Sequence, residues 1–138
     1  MTAPPPVSRR MDRPPAGAPP AAVDPAPLLG RWESFDPATS GVLRLDLRPG
    51  EDGLLALRVT GAWHGGGRDW GAVAARPFAA AGFASPAAVA FHAAYDFGFA
   101  ETTIAAYLNL RLLVVDAFTR YRDGLRAPVW SRDHLYQP

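Results

Sequence analysis

The chain has no cysteine, which excludes disulfides, thiolate metal sites and cysteine nucleophiles. It has no lysine either: all fourteen basic residues are arginine, set against thirteen acidic ones, for a net charge of +1. That balance creates no field to draw in nucleic acid or an acidic membrane. No run approaches the ~20 consecutive apolar residues of a membrane helix, and a cytoplasmic location is expected. The three histidines are scattered with no pair at ligand spacing, so no metal site is expected. Gly-x-Gly-x-x-Gly and Walker sequences are missing. His64 precedes three glycines, but without a Gly-x-Ser-x-Gly elbow this is a loop and not an oxyanion motif. No cofactor is implied.

What is present divides in two. Residues 1–27 hold nine of the fifteen prolines and almost nothing large and apolar. Such a segment buries too little surface to offset the entropy of ordering it. It reads as a disordered leader, and residues 28–138 as one domain. Arg9, Arg10 and Arg13 are not followed by an apolar stretch, so the leader is not a signal peptide. Alanine is abundant and isoleucine occurs only at Ile104. GC-rich coding explains that bias, and it makes alanine runs weak evidence for helix.

The domain alternates with period 2. In 42–48, Leu43, Leu45 and Leu47 share one face, and Arg44, Asp46 and Arg48 the other, the pattern of a strand buried on one side. Further strands are expected over about 31–35, 54–63, 69–76, 88–97, 100–109, 111–121 and 128–136, separated by Gly, Pro and Asp turn signals. Strand four is expected to stop at Pro77, and 79–88 to be a loop. Leu55, Leu57, Val59, Gly61 and Trp63 fall on one inward phase, and Val89, Phe91, Ala93, Tyr95 and Phe97 on another. On the last strand the inward phase is taken as Trp130, Arg132, His134 and Tyr136. Eight strands with short connections predict an all-β chain, an antiparallel up-and-down β-barrel that removes its own edges by closing. A two-sheet sandwich is the rival.

Leu28, Leu29, Gly30, Arg31 and Trp32 in succession, opening the first strand after a short turn, resemble the start of the calycin superfamily: lipocalins, fatty-acid-binding proteins and avidins. The resemblance implies that Trp32 sits at the closed end of a ligand-binding barrel. It also implies that an arginine near the last strand packs across Trp32, with Arg132 the best-placed counterpart and Arg126 the second. Gly30 would let backbone pass close beside the indole.

An eight-stranded barrel is either just filled by side chains or holds one small ligand. Aromatic walls with polar tips suit an aromatic or hydrophobic guest. Trp63, Trp70, Tyr95, Trp130, His134 and Phe91 are the expected lining, with the 64–67 loop as a lid; as plain core packing they would line nothing. The first reading is therefore a binder of one small hydrophobic molecule. The second is a cofactor-free cyclase or isomerase of a natural-product pathway, holding a flexible substrate in a reactive fold, with His134 and Tyr95 as its polar groups. A third is an interaction module using the leader as a tether. Asp116 shares a face with Arg120 and Arg122 and is expected outside. Val114 and Phe118 would then form an exposed apolar stripe, the mark of a homodimer through the outer face of the seventh strand.

Overall fold

A computed structural model of the chain describes residues 22–63, 66–82 and 84–138. Eight strands follow in order: β1 (Gly30–Ser34), β2 (Val42–Pro49), β3 (Leu55–Trp63), β4 (Gly66–Ala79), β5 (Ala88–Asp96), β6 (Ala100–Asn109), β7 (Leu112–Tyr121) and β8 (Val129–Tyr136). Each pairs antiparallel with the next, and β8 returns to β1. The sheet is a closed antiparallel barrel, so every interior strand edge is paired. Among the described residues no helix is long and apolar enough to cross a membrane.

The alternation seen in the sequence becomes the wall. Leu45 and Leu47 of β2, Leu55, Leu57 and Val59 of β3, Phe91 of β5, Ile104 of β6, and Leu113 and Val115 of β7 are buried in one core. Their neighbours Arg44, Arg48 and Arg58 are exposed. β4 runs past the break expected at Pro77. Pro77 pairs with Phe91 of β5, while pairing with β3 has already stopped at Leu55 opposite Ala75. No strand lies on that side to need the N–H that proline lacks.

The N-terminal end of the barrel is capped by the chain itself. A short 3-10 helix, Ala26–Leu28, buries Leu28 completely, and the Trp32 indole N–H donates to the Leu28 carbonyl at 2.9 Å. Asp24 bridges to Ala87, its N–H donating to Pro86 O and its carbonyl accepting from Ala88 N–H. Order therefore begins before residue 28: the leader was expected to reach Pro27, but Val23 already packs on the core. Residues 1–21 of that leader lie outside the described residues.

The seam that closes the barrel is short. β1 and β8 share two register pairs, Glu33 with Tyr136 and Ser34 with Leu135, extended by Phe35 N–H donating to His134 O. Side chains bracket it. Asp133 points inward and is buried; it accepts from the Val42 N–H at 2.9 Å and from the Thr39 hydroxyl, fixing the β1–β2 loop to β8. At the capped end the Gln137 amide donates to Leu29 O at 2.8 Å.

Asp133 exposes an error of phase. The inward residues of β8 are Ser131, Asp133 and Leu135, opposite Ala117, Val115 and Leu113; Trp130, Arg132 and His134 face outward. The alternation along β8 puts polar residues on both faces, and the aromatic set looks more like a lining, although an inward Arg132 and His134 would be costly without partners. The inward Asp133 finds its partners in a loop about ninety residues away in the chain, which periodicity cannot see.

Removing the Asp133 clip should weaken the whole fold. Asp133→Ala strands the buried Val42 N–H, so urea unfolding should show a loss of about 1–3 kcal/mol with an unchanged m-value. Gln137→Ala, at an exposed site, should cost no more than about 1 kcal/mol.

Candidate functional site

The interior is graded along the barrel. Across β5 to β8 the inward residues line up as rungs. The first, Phe91, Ala106, Val115 and Asp133, is large and apolar except for its anchored carboxylate. The second is Ala93, Ile104, Ala117 and Ser131. The third, Tyr95, Thr102, Thr119 and Val129, is rich in hydroxyls. Towards the capped end Leu57, Leu113 and Leu135 have no exposure, and Ala93, Ala117, Tyr95 and Thr102 further along are buried as well. Thr119 and Ser131 are half-buried although they point inward. The end away from the 3-10 cap is thus a mouth lined by small and hydroxyl-bearing side chains, with Thr102 and Thr119 hydrogen-bonded to each other at 2.8 Å.

Aromatic rings stand over this mouth. Trp70 meets Tyr95 and Phe97 edge-on at 5.4 Å each, Tyr95 and Phe97 stack at 5.5 Å, and Phe99 extends the row. Trp70 reaches inward because it lies against Gly61, where any Cβ would overlap the indole. Arg126 caps the far side, its guanidinium 4.0 Å from the Tyr121 ring.

Tyr95 is held by a break in the wall. The β3–β4 register shifts between Arg58 and Thr60, where Trp70 and Gly71 oppose the single residue Val59. Gly71 adopts φ +85° there, a left-handed backbone that suits glycine. The gap leaves the Val59 N–H and the Gly71 carbonyl without ladder partners. The Tyr95 hydroxyl serves both, accepting from Val59 N–H at 3.2 Å and donating to Gly71 O at 2.8 Å. Burial pushes its pKa up to about 12.

The expected lining is therefore partly assembled. Trp70 and Tyr95 meet in the mouth. Trp63 continues the inward phase of β3 but stands at the rim, 54% exposed, with Arg68 over its ring at 5.2 Å. Phe91 is fully buried in the core below. Trp130 and His134 do not join the site, since β8 turns them to the outer wall. Of the expected lid, His64 and Gly65 lie outside the described residues. The signal for Phe97, Thr102 and Thr119 was present in their inward phase, but small polar residues do not stand out as a ligand surface.

The structural roles also shift, and of the exposed stripe expected on the seventh strand Phe118 is half exposed while Val114 is buried. Trp32 is buried beside the 3-10 cap. Arg132 does not cross it: the guanidinium pairs through two bonds, 2.7 and 3.0 Å, with Asp116 on the outer wall, and Arg126 is at the mouth. Gly30, at φ +114°, makes room for the Gln137 amide and not for the indole.

Electrostatics belong to the outside. The Arg132 hydrogen bonds hold the Asp116 carboxyl below its ordinary pKa, as Arg58 does for Asp69. Hydrogen bonding to Arg122 brings Asp96 down to about 2. Among the described residues no three His, Asp or Glu side chains converge as a metal ion would need. Two grooves lie at the surface of the described residues. One, about 400 Å³, is lined by Phe118, Thr119, Pro128, Val129 and Trp130 among others; the second, about 190 Å³, lies among Arg31, Arg44 and Arg58.

Comparison with models of protein families, with curated proteins and with solved structures gives no match. The eight-stranded antiparallel closed barrel is compatible with a calycin-like fold.

Two pH limits follow. The lowered carboxylates release protons in the fold that they hold when unfolded. Stability should be steady above about pH 4 and fall as pH drops toward 2, where the unfolded chain binds more protons. Tyr95 works in the opposite sense: its neutral form is favoured in the fold, so stability should hold below about pH 10 and fall as pH rises toward 12. Absorbance titration should show one late tyrosine, absent in Tyr95→Phe. That variant should lose about 1–3 kcal/mol in urea, because two backbone groups become unpaired.

Proposed function

We propose that the barrel binds one small hydrophobic or aromatic molecule at its mouth, against Trp70, Tyr95 and Phe97 and above the Thr102–Thr119 pair. The observation that carries this reading is the interior gradient. Leucines fill the capped end completely, whereas the mouth is lined by alanine, threonine and serine under a shelf of aromatic rings. A flat guest would pack against those rings, and the few hydroxyls would suffice to orient it. The occupant would be largely uncharged, because the buried inward carboxylate among the described residues, Asp133, lies below the mouth and is already taken up by Val42 and Thr39.

The cyclase or isomerase reading relied on His134 and Tyr95. His134 faces away from the mouth, and the Tyr95 hydroxyl is engaged twice with a pKa of about 12, well above the neutral range where proton transfer is efficient. Binding without chemistry is the reading these placements favour. A cytoplasmic location without a cofactor fits the same reading.

The test uses 1-anilinonaphthalene-8-sulfonate as the probe. Titration into the full chain should give a saturable fluorescence rise. Trp70→Ala and Phe97→Ala should each weaken it by about tenfold, by loss of aromatic contact, while Trp130→Ala, on the outer wall, leaves it unchanged. Native mass spectrometry of freshly purified protein should then show a retained small molecule. A natively folded chain that takes up no probe, or takes it up equally well in both mouth variants, would overturn the reading.

A further inference from the structure

The inward hydroxyls at the mouth do not employ their protons equally. Tyr95 has nothing to spare: its O–H donates to the Gly71 carbonyl, and its oxygen accepts from the Val59 N–H. Thr102 and Thr119 share a single hydrogen bond. Each hydroxyl carries one proton, so that bond leaves one proton over. Burial decides which. Thr102 is 2% exposed and Thr119 half-buried, and an unmade donor costs more where water cannot reach it. Thr102 therefore donates, and the Thr119 proton is the one left for the mouth. Ser131 is freer still. It is inward and half-buried, against Gly41, and its hydroxyl bonds to no other described residue. No partnerless polar side-chain atom among the described residues is sealed from solvent, so this hydroxyl is open to whatever enters.

We propose that the guest is a planar aromatic molecule carrying a carbonyl oxygen, which accepts from the Thr119 and Ser131 hydroxyls. This rests on the mouth being a binding site and names the class of its occupant. Thr119 stands opposite Val129, and Ser131 opposite Ala117. The two are therefore diagonal neighbours on the inner face of β7 and β8, a spacing of about 7–8 Å. A carbonyl oxygen between them has two lone pairs to offer. The rings of Trp70, Tyr95 and Phe97 come from the β4 and β5 side. They take the flat body, and the hydroxyls of β7 and β8 take the oxygen. Acceptors are not in supply: the Asp133 carboxylate is engaged by Val42 and Thr39, and the Gly71 carbonyl by Tyr95. What the site has left over is donors. A bare hydrocarbon would displace water from both hydroxyls and return no bond, which costs affinity at each. A carbonyl restores those bonds.

Equilibrium dialysis of the full chain against 2-acetylnaphthalene and, separately, 2-ethylnaphthalene is the test. The compounds share their rings and nearly their shape, and differ in the carbonyl oxygen. The ketone should bind about tenfold more tightly, the size of one net hydrogen bond. Ser131→Ala and Thr119→Val should each cut that advantage to about threefold or less, with circular dichroism unchanged. Thr119→Val also leaves the Thr102 hydroxyl unpaired, whereas Ser131→Ala strands no partner, so the second variant decides if the first does not fold. Equal affinity for the two compounds overturns the carbonyl assignment and leaves the mouth standing as a purely hydrophobic site. An advantage that persists undiminished in the folded variants does the same. Uptake of neither compound overturns the mouth as a binding site, and this assignment with it.

Discussion

Everything in this molecule depends on the sheet meeting itself. β1 and β8 touch over two register pairs, the shortest ladder in the barrel, half that of β1 and β2. A barrel closed by so little backbone pairing needs other bonds at the join. Asp133 supplies one from inside, drawing the β1–β2 loop onto β8. Gln137 supplies another at the capped end, and the Phe35 and Tyr136 rings, 4.6 Å apart, cover the outside. If that join opened, β1 and β8 would become free edges and the core between them would be wetted.

Closure also explains the interior gradient. At the capped end the 3-10 helix and Trp32 press onto the leucine cluster, and side chains fill the cylinder. The other end is built differently. The bulge at Val59 turns Trp70 inward, and the Tyr95 hydroxyl repairs the two backbone groups that the bulge leaves open. A local defect in the ladder thus positions both aromatic rings that head the proposed site. Apart from the buried Asp133, charge on the described strands is kept outside, much of it in arginine–carboxylate pairs.

The strands themselves were largely legible. Leu45 and Leu47 against Arg44 and Arg48 allow one reading, because only one face of that strand can be buried. The same holds for Leu55, Leu57 and Val59. Of the site, Tyr95 stands inward, as the phase of its strand implies, and Trp70 comes to lie against it. β8 was not legible. Val129, Ser131, Asp133 and Leu135 against Trp130, Arg132, His134 and Tyr136 is an alternation with polar residues on both sides, and the larger set looked more like a lining. Volume decides otherwise: a barrel of eight strands has little room for an indole, a guanidinium and an imidazole in one inward column, whereas serine and a bonded carboxylate fit.

The sequence by itself determined the strand count, the turns between strands and the inward face of most of them, because period-2 burial is a local property of the chain. Only the tertiary structure decided which face of β8 looks inward, that Gln137 and not an arginine accompanies Gly30, and that the Tyr95 hydroxyl ends on Val59 and Gly71. Each of these is settled by a partner tens of residues away or more. Such contacts exist only once the cylinder has closed, and no spacing along the chain encodes them.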